Sequence, residues 1–183
     1  GMTSWTVGRY MSVESLHRNV RLRRGAMGDV RQSVEFEFGF GSGSSLKASV
    51  SLDRGSDRLV YDVQCDWQER GSGAQGVPQL HFHWPLADRS ASYLYDVPFG
   101  IVRRAPIQDD VPANRFGVAV SSAPGRSSLM IATTNKYGFR GTGDALNVTL
   151  IRSSYDPDPY PELGDHHRFL LAVGPADVPV AGT

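Results

Sequence analysis

The chain has one cysteine, Cys65, among 183 residues. One thiol makes no internal disulfide, and by itself it makes no structural zinc site. Lysine is almost missing: of 19 basic residues only Lys47 and Lys136 are lysines, which leaves 17 arginines. Net charge is missing too, because 19 acidic residues balance the 19 basic ones. No global field therefore draws the chain to nucleic acid or to an anionic membrane. No apolar run approaches the roughly 20 residues that cross a bilayer. The start, Gly1-Met2, reads as a tag remnant before an initiator methionine, and no apolar leader follows it. A reducing, cytoplasmic setting is the resulting expectation, and it gives the sequon Asn147-Val148-Thr149 little weight. No Gly-x-Ser-x-Gly elbow is present, and no Gly-x-Gly-x-x-Gly opens a helical pattern.

What is present is alternation. Val34, Phe36, Phe38 and Phe40 share one parity, with Glu35 and Glu37 on the other. Leu46, Ala48, Val50 and Leu52 alternate with Lys47, Ser49 and Ser51. Leu59, Tyr61, Val63, Cys65 and Trp67 alternate with Val60, Asp62, Gln64 and Asp66. Leu80, Phe82 and Trp84 alternate with His81 and His83. Further strands are expected at 92–97, 116–121, 128–133, 146–152 and 168–173. Successive side chains on a strand face opposite sides, so each pattern asks for a sheet with one buried face. Asp53 to Asp57 is a turn-rich segment between two of these runs and predicts a hairpin. Residues 11–24 fit one or two helical turns and a strand about equally well. The expected class is all-β, an antiparallel β-sandwich or barrel, because the connections are too short for helical crossovers. The body spans 11–174, after an entry segment at 1–10, and the tail 175–183 has lost the alternation.

Candidate chemistry is sparse. His81 and His83 share a strand face and can chelate a metal, or simply be solvated or hydrogen-bonded; no third ligand is evident. His166-His167 adjoin Glu162 and Asp165, but neighbours on a strand point apart. Cys65 alternates as a core residue, which suits a buried, inert thiol. Arg103-Arg104 suit an anion or a solvated surface. Asn135 to Gly141 mixes donors with two aromatic rings between strands. It is either a sugar-packing loop or an ordinary hairpin loop. Asp156 to Pro161 holds three prolines, which favour a stiff, extended excursion.

Several of these segments together resemble one family. Leu146 to Ser154, then Asp156-Pro157-Asp158-Pro159, Gly164-Asp165-His166 and Phe169, resemble a C-terminal signature of glycoside hydrolase family 38 α-mannosidases. Asp66-Trp67-Gln68-Glu69 is similar to the family's D-W-x-E. Leu80 to Leu86 resembles its strand ending F-P-L, with Trp84 for the usual Phe. Tyr93 to Arg104 resembles Y-E-I-P-F-G-x-I-E-R. Val111-Pro112-Ala113 and Asn135-Lys136-Tyr137-Gly138-Phe139 resemble V-P-A and N-x-K-Y-G-Y, and Trp5 to Arg9 resembles the entry segment. The departures are Ser154 for a proline, Glu162 for an aspartate, and one extra residue between His166 and Phe169. The resemblance covers almost the whole chain, in order.

It implies a sandwich of the galactose-mutarotase-like (supersandwich) type. It also implies that the catalytic domain, with its nucleophilic aspartate and zinc-type metal, lies outside this chain. No catalytic residue, metal ligand or cofactor is therefore expected here. The expected role is carbohydrate binding or scaffolding in α-mannoside hydrolysis. Asn135, Lys136, Tyr137 and Arg140 are the expected substrate-binding residues, with Lys136 and Tyr137 as donors to sugar hydroxyls. The alternatives are a stand-alone sugar-binding module, or a subunit of a split α-mannosidase docking a separately encoded catalytic domain. Val60, Tyr95 and Ile151 break the polar parity and are expected to mark an apolar outer face able to drive self-association.

Overall fold

A computed structural model describes residues 10–154 and 163–178. Among these residues every regular element is a strand, and the pairings are antiparallel. In chain order they are β1 (Arg21–Met27), β2 (Arg31–Phe40), β3 (Ser44–Asp53), β4 (Leu59–Trp67), β5 (Gln79–Pro85), β6 (Tyr93–Val97), β7 (Gly100–Arg104), β8 (Val111–Pro112), β9 (Phe116–Ala119), β10 (Ser128–Thr133), β11 (Gly138–Gly141), β12 (Ala145–Arg152) and β13 (Gly164–Ala176). The stretch between Met11 and Val20 adopts neither of the forms expected for it, and regular structure begins at Arg21.

Two sheets form the sandwich. The larger runs β1-β2-β3-β4-β13-β10-β9-β6-β7 and the smaller β5-β12-β11-β8. The alternating residues meet between them. Val63, Phe169, Leu171, Ile131, Tyr93 and Tyr95 come from the large sheet, and Leu80, Phe139, Leu146 and Val148 from the small one. Rings lock the layers: Tyr95 lies 6.3 Å from Phe139, and Tyr61 lies 5.0 Å from Phe82. Gly141 and Gly117 are required by this packing. A Cβ on Gly141 would stand 2.4 Å from the Tyr93 ring, and one on Gly117 would stand 2.9 Å from Phe139.

Two of the three parity-breaking residues lie in the core instead of on an outer face. Tyr95 is fully buried beside Tyr93. Ile151 is buried because a register shift between Thr149 and Ile151 turns it inward opposite Leu80. The exposed apolar surface lies elsewhere. The small sheet ends at β5, which sits over β4, so part of the inner face of β1–β3 overhangs it, although Leu46 and Ala48 on β3 are buried. In the overhanging part Leu22 is 70% exposed, Val34 42% and Leu52 44%.

Candidate functional site

The segment Asn135 to Gly141 divides into a rim and a strand. Thr133 closes the rim: its hydroxyl donates to the Lys136 carbonyl at 2.7 Å and accepts from the Lys136 amide. Asn135 is tied down as well, its Nδ2 donating to the Arg168 carbonyl at 3.0 Å. Lys136 turns inward, with Nζ 4.3 Å from the centre of the Phe169 ring. That is a cation–π contact in a half-buried setting. Burial pulls the Lys136 ammonium below its ordinary range, because the charged form loses water. Tyr137 turns outward and is 61% exposed, while its carbonyl accepts from the Ala113 amide.

The second half is not loop. Gly138–Gly141 is β11, inserted between β12 and β8. Phe139 is core, and Arg140 emerges on the outer face of the small sheet beside Asn147 and His83. The four expected sugar contacts therefore take different directions. Asn135 and Lys136 brace the rim from beneath, Tyr137 crowns it, and Arg140 belongs to another group of side chains.

That group is a polar cluster built by cross-strand register. His81, Thr149 and Gly138 stand opposite one another, as do His83, Asn147 and Arg140. Thr149 Oγ1 donates to Asp110 Oδ2 at 2.6 Å and lies 3.3 Å from His81 Nδ1. The absence of a side chain at Gly138 leaves room for that bridge, since a Cβ there would stand 3.3 Å from Thr149. His81 Nε2 meets Gln79 Oε1 at 2.7 Å, and His83 Nδ1 meets Asn147 Oδ1 at 2.7 Å. Asn147 Nδ2 donates to the Arg140 carbonyl, which buries the sequon nitrogen in the sheet. Arg140 approaches Asp110 at 3.9 Å and places its guanidinium 4.4 Å from the centre of the Tyr10 ring. Tyr10 also meets the His81 ring edge-on at 6.2 Å.

Burial holds the His81 imidazole neutral. Its pKa falls to about 4, with desolvation outweighing the opposing pull of Asp110, while Arg140 and His83 add to the fall. Within this cluster Tyr10 Oη, Asp110 Oδ1 and Arg140 Nε are buried without a hydrogen bond. Through its Tyr10 ring contacts the cluster packs the approach to β1 onto the small sheet. The two histidines bond to different partners, and no group of three or more His, Cys, Asp or Glu gathers as a metal site among the described residues. The register that assembles the cluster is invisible in a single sequence. The available signal was parity alone, which places His81 and His83 on a polar face.

A second network explains two sequence motifs. Trp67 is fully buried, and its Nε1 donates to Ser153 Oγ at 3.1 Å. Ser153 Oγ in turn donates to the Glu69 carbonyl at 2.7 Å. The Glu69 carboxylate accepts from the Ser42 amide and the Ser44 hydroxyl. Asp66-Trp67-Gln68-Glu69 and Arg152-Ser153 thus meet as a structural joint. Cys65 is buried in the same strand, with its thiol pushed up to about 12 by desolvation and by nearby Asp66 and Glu69. It is inert at neutral pH. A groove of about 400 Å³ crosses the outer face of β1–β4, between Arg21, Arg23, Glu35, Glu37, Lys47 and Asp62. Its charges largely answer one another, as in Arg23–Glu35 at 2.7 Å.

The fold and these joints define a β-sandwich domain whose polar side chains chiefly brace the fold. The comparisons then place it. The family model described as glycosyl hydrolases family 38 C-terminal domain matches residues 5–160, and the chain belongs to that family. No curated protein matches the chain. No helix among the described residues is long and apolar enough to cross a membrane.

Proposed function

We propose that this chain serves α-mannoside hydrolysis as a non-catalytic domain. It packs against a catalytic portion, either joined to it or carried on a separate chain, and lends the rim at Asn135–Tyr137 to the sugar site. The observation that carries this reading is the family match over residues 5–160, which is to a C-terminal domain of glycosyl hydrolases. Two features support it. Tyr137 stands exposed on a rim whose backbone is braced from beneath, so an aromatic face and a hydroxyl are offered without freezing a loose loop. The overhanging part of the inner face of β1–β3 leaves Leu22, Val34 and Leu52 partly exposed, which suits a domain built to meet another layer.

In this reading Tyr137 touches the sugar, and Lys136 and Asn135 position it. The chain alone, with zinc or cobalt supplied, gives no hydrolysis of an aryl α-mannoside. Adding the catalytic region of the family 38 enzyme from the same genome gives turnover. Tyr137→Ala then lowers kcat/KM of that mixture by about tenfold, the effect of roughly one lost stacking or hydrogen-bonding contact. Turnover by the chain alone, lost on substituting one of its own carboxylates, overturns the reading. Binding of mannose by the chain alone at millimolar ligand, seen by NMR and unaffected by a catalytic region, favours the stand-alone sugar-binding module instead.

A further inference from the structure

The β6–β7 hairpin places a large apolar ring where two rules disfavour it. Val97 pairs with Gly100, so Pro98 and Phe99 form a two-residue turn. Phe99 has φ of 69°, the left-handed region that favours Gly or Asn at the third position of such a turn. Phe99 is also 109% exposed, the highest value among the large apolar residues described, and Ile101 beside it is 61% exposed. Neither the backbone nor the core of this domain gains from a phenyl ring at that point. An observed backbone outlier that the fold itself does not need points to a role outside the fold.

The surroundings say what the ring meets. No ionisable side chain lies between Val97 and Val102. The nearest carboxylate, Asp96, accepts from the amides of Arg115 and Phe116, and Arg103 turns back to donate to Ser92 Oγ at 2.6 Å. The turn itself can therefore be desolvated without stripping water from a charge. The tip is also continuous with the Tyr137 rim. The Asp96 carbonyl accepts from the Asn114 amide, and the next amide, that of Ala113, donates to the Tyr137 carbonyl. Phe99 and Tyr137 thus occupy one end of the sandwich.

We infer that Phe99 is the anchor by which this end docks: its ring fills an apolar socket on the catalytic portion of the hydrolase and so sets Tyr137 against the sugar. This rests on the proposed function above. A single exposed ring that fills a socket is the usual form of an interface hot spot. It also accounts for the turn residue, because Asn would suit the turn and would leave the socket empty.

The test measures binding of the 183-residue chain to the purified catalytic region of the family 38 enzyme from the same genome, alongside thermal unfolding of the chain alone. Phe99→Asn is expected to hold or raise the melting temperature and to weaken binding at least about 30-fold. Phe99→Trp is expected to keep binding within a few fold. Tyr137→Ala is expected to lower hydrolysis while leaving binding nearly unchanged. Wild-type binding that ignores Phe99→Asn overturns the anchor but leaves the proposed function standing. A wild-type chain that does not bind overturns both. A fall in melting temperature on Phe99→Asn shows that the ring serves the fold and overturns the anchor. So does a Phe99-dependent dimer by sedimentation, or Phe99-dependent binding to phosphatidylcholine–phosphatidylglycerol vesicles.

Discussion

The two halves of the large sheet carry the same alternation and meet different fates. Strands β13, β10, β9 and β6 lie beneath the small sheet, where Ile131, Tyr93, Tyr95 and Phe169 are all but fully buried. One end of β1 to β3 extends beyond it, and Leu22, Val34 and Leu52 on the same inner face stay exposed there, while Leu46 and Ala48 farther along β3 are buried. Period two sets which face a residue joins, but a second layer sets whether that face is dry. Burial of a large apolar side chain stabilises by about 1.5–3 kcal/mol only where the second layer exists. The covered half therefore holds the domain together, and in the proposed function the overhang is the surface that meets another layer.

Substitutions break or sharpen this contrast. Phe139→Ala, in the covered half, is expected to cost about 3–5 kcal/mol in urea unfolding, because the ring packs on Tyr95 and Gly117 and leaves a cavity. A loss under 1 kcal/mol would mean that the small sheet does not seal the core there. Protonation of His81 is the next largest effect. Its folded pKa near 4 lies below the ordinary 6.5, so the unfolded chain binds more protons between these values. Stability is full above about pH 6.5, falls by up to about 3 kcal/mol as pH drops to about 4, and then levels off with respect to this group. His81→Gln should flatten that slope, and an unchanged slope would remove His81 as its source.

Smaller effects follow. Gly141→Ala is expected to cost about 1–3 kcal/mol, since the added methyl collides with the Tyr93 ring. Ser153→Ala is expected to cost about 1–3 kcal/mol by leaving the buried Trp67 N–H without an acceptor. In the overhang, Leu52→Ser should stay within about 0.5 kcal/mol in the isolated chain. A large loss there would show that the overhang is covered by this chain itself.

Sequence patterns disclosed the strands with one dry face and missed the others for identifiable reasons. Phe36 to Phe40, Leu59 to Trp67 and Leu80 to Trp84 were legible because a second layer enforces parity. β1 was not, because as an edge strand it alternates Arg21 and Arg23 with a Leu22 that stays wet. β11 read as loop because its glycines serve other chain segments: Gly138 makes room for Thr149 and Asp110, and Gly141 for Tyr93. The same holds for the rim. Residue types at Asn135, Lys136, Tyr137 and Arg140 suggested one sugar-contacting group, but their directions depend on Phe169, Arg168 and Tyr10, which are distant in the chain. The joint between Trp67 and Ser153 was visible only as two motifs without a reason to meet.

The most direct measurement is aryl α-mannoside hydrolysis by the purified chain, by the family 38 catalytic region from the same genome, and by the two mixed, with zinc or cobalt present. The account predicts no turnover from the chain alone and turnover from the mixture above that of the catalytic region alone. Hydrolysis by this chain without a partner, or a catalytic region indifferent to its addition, would contradict it.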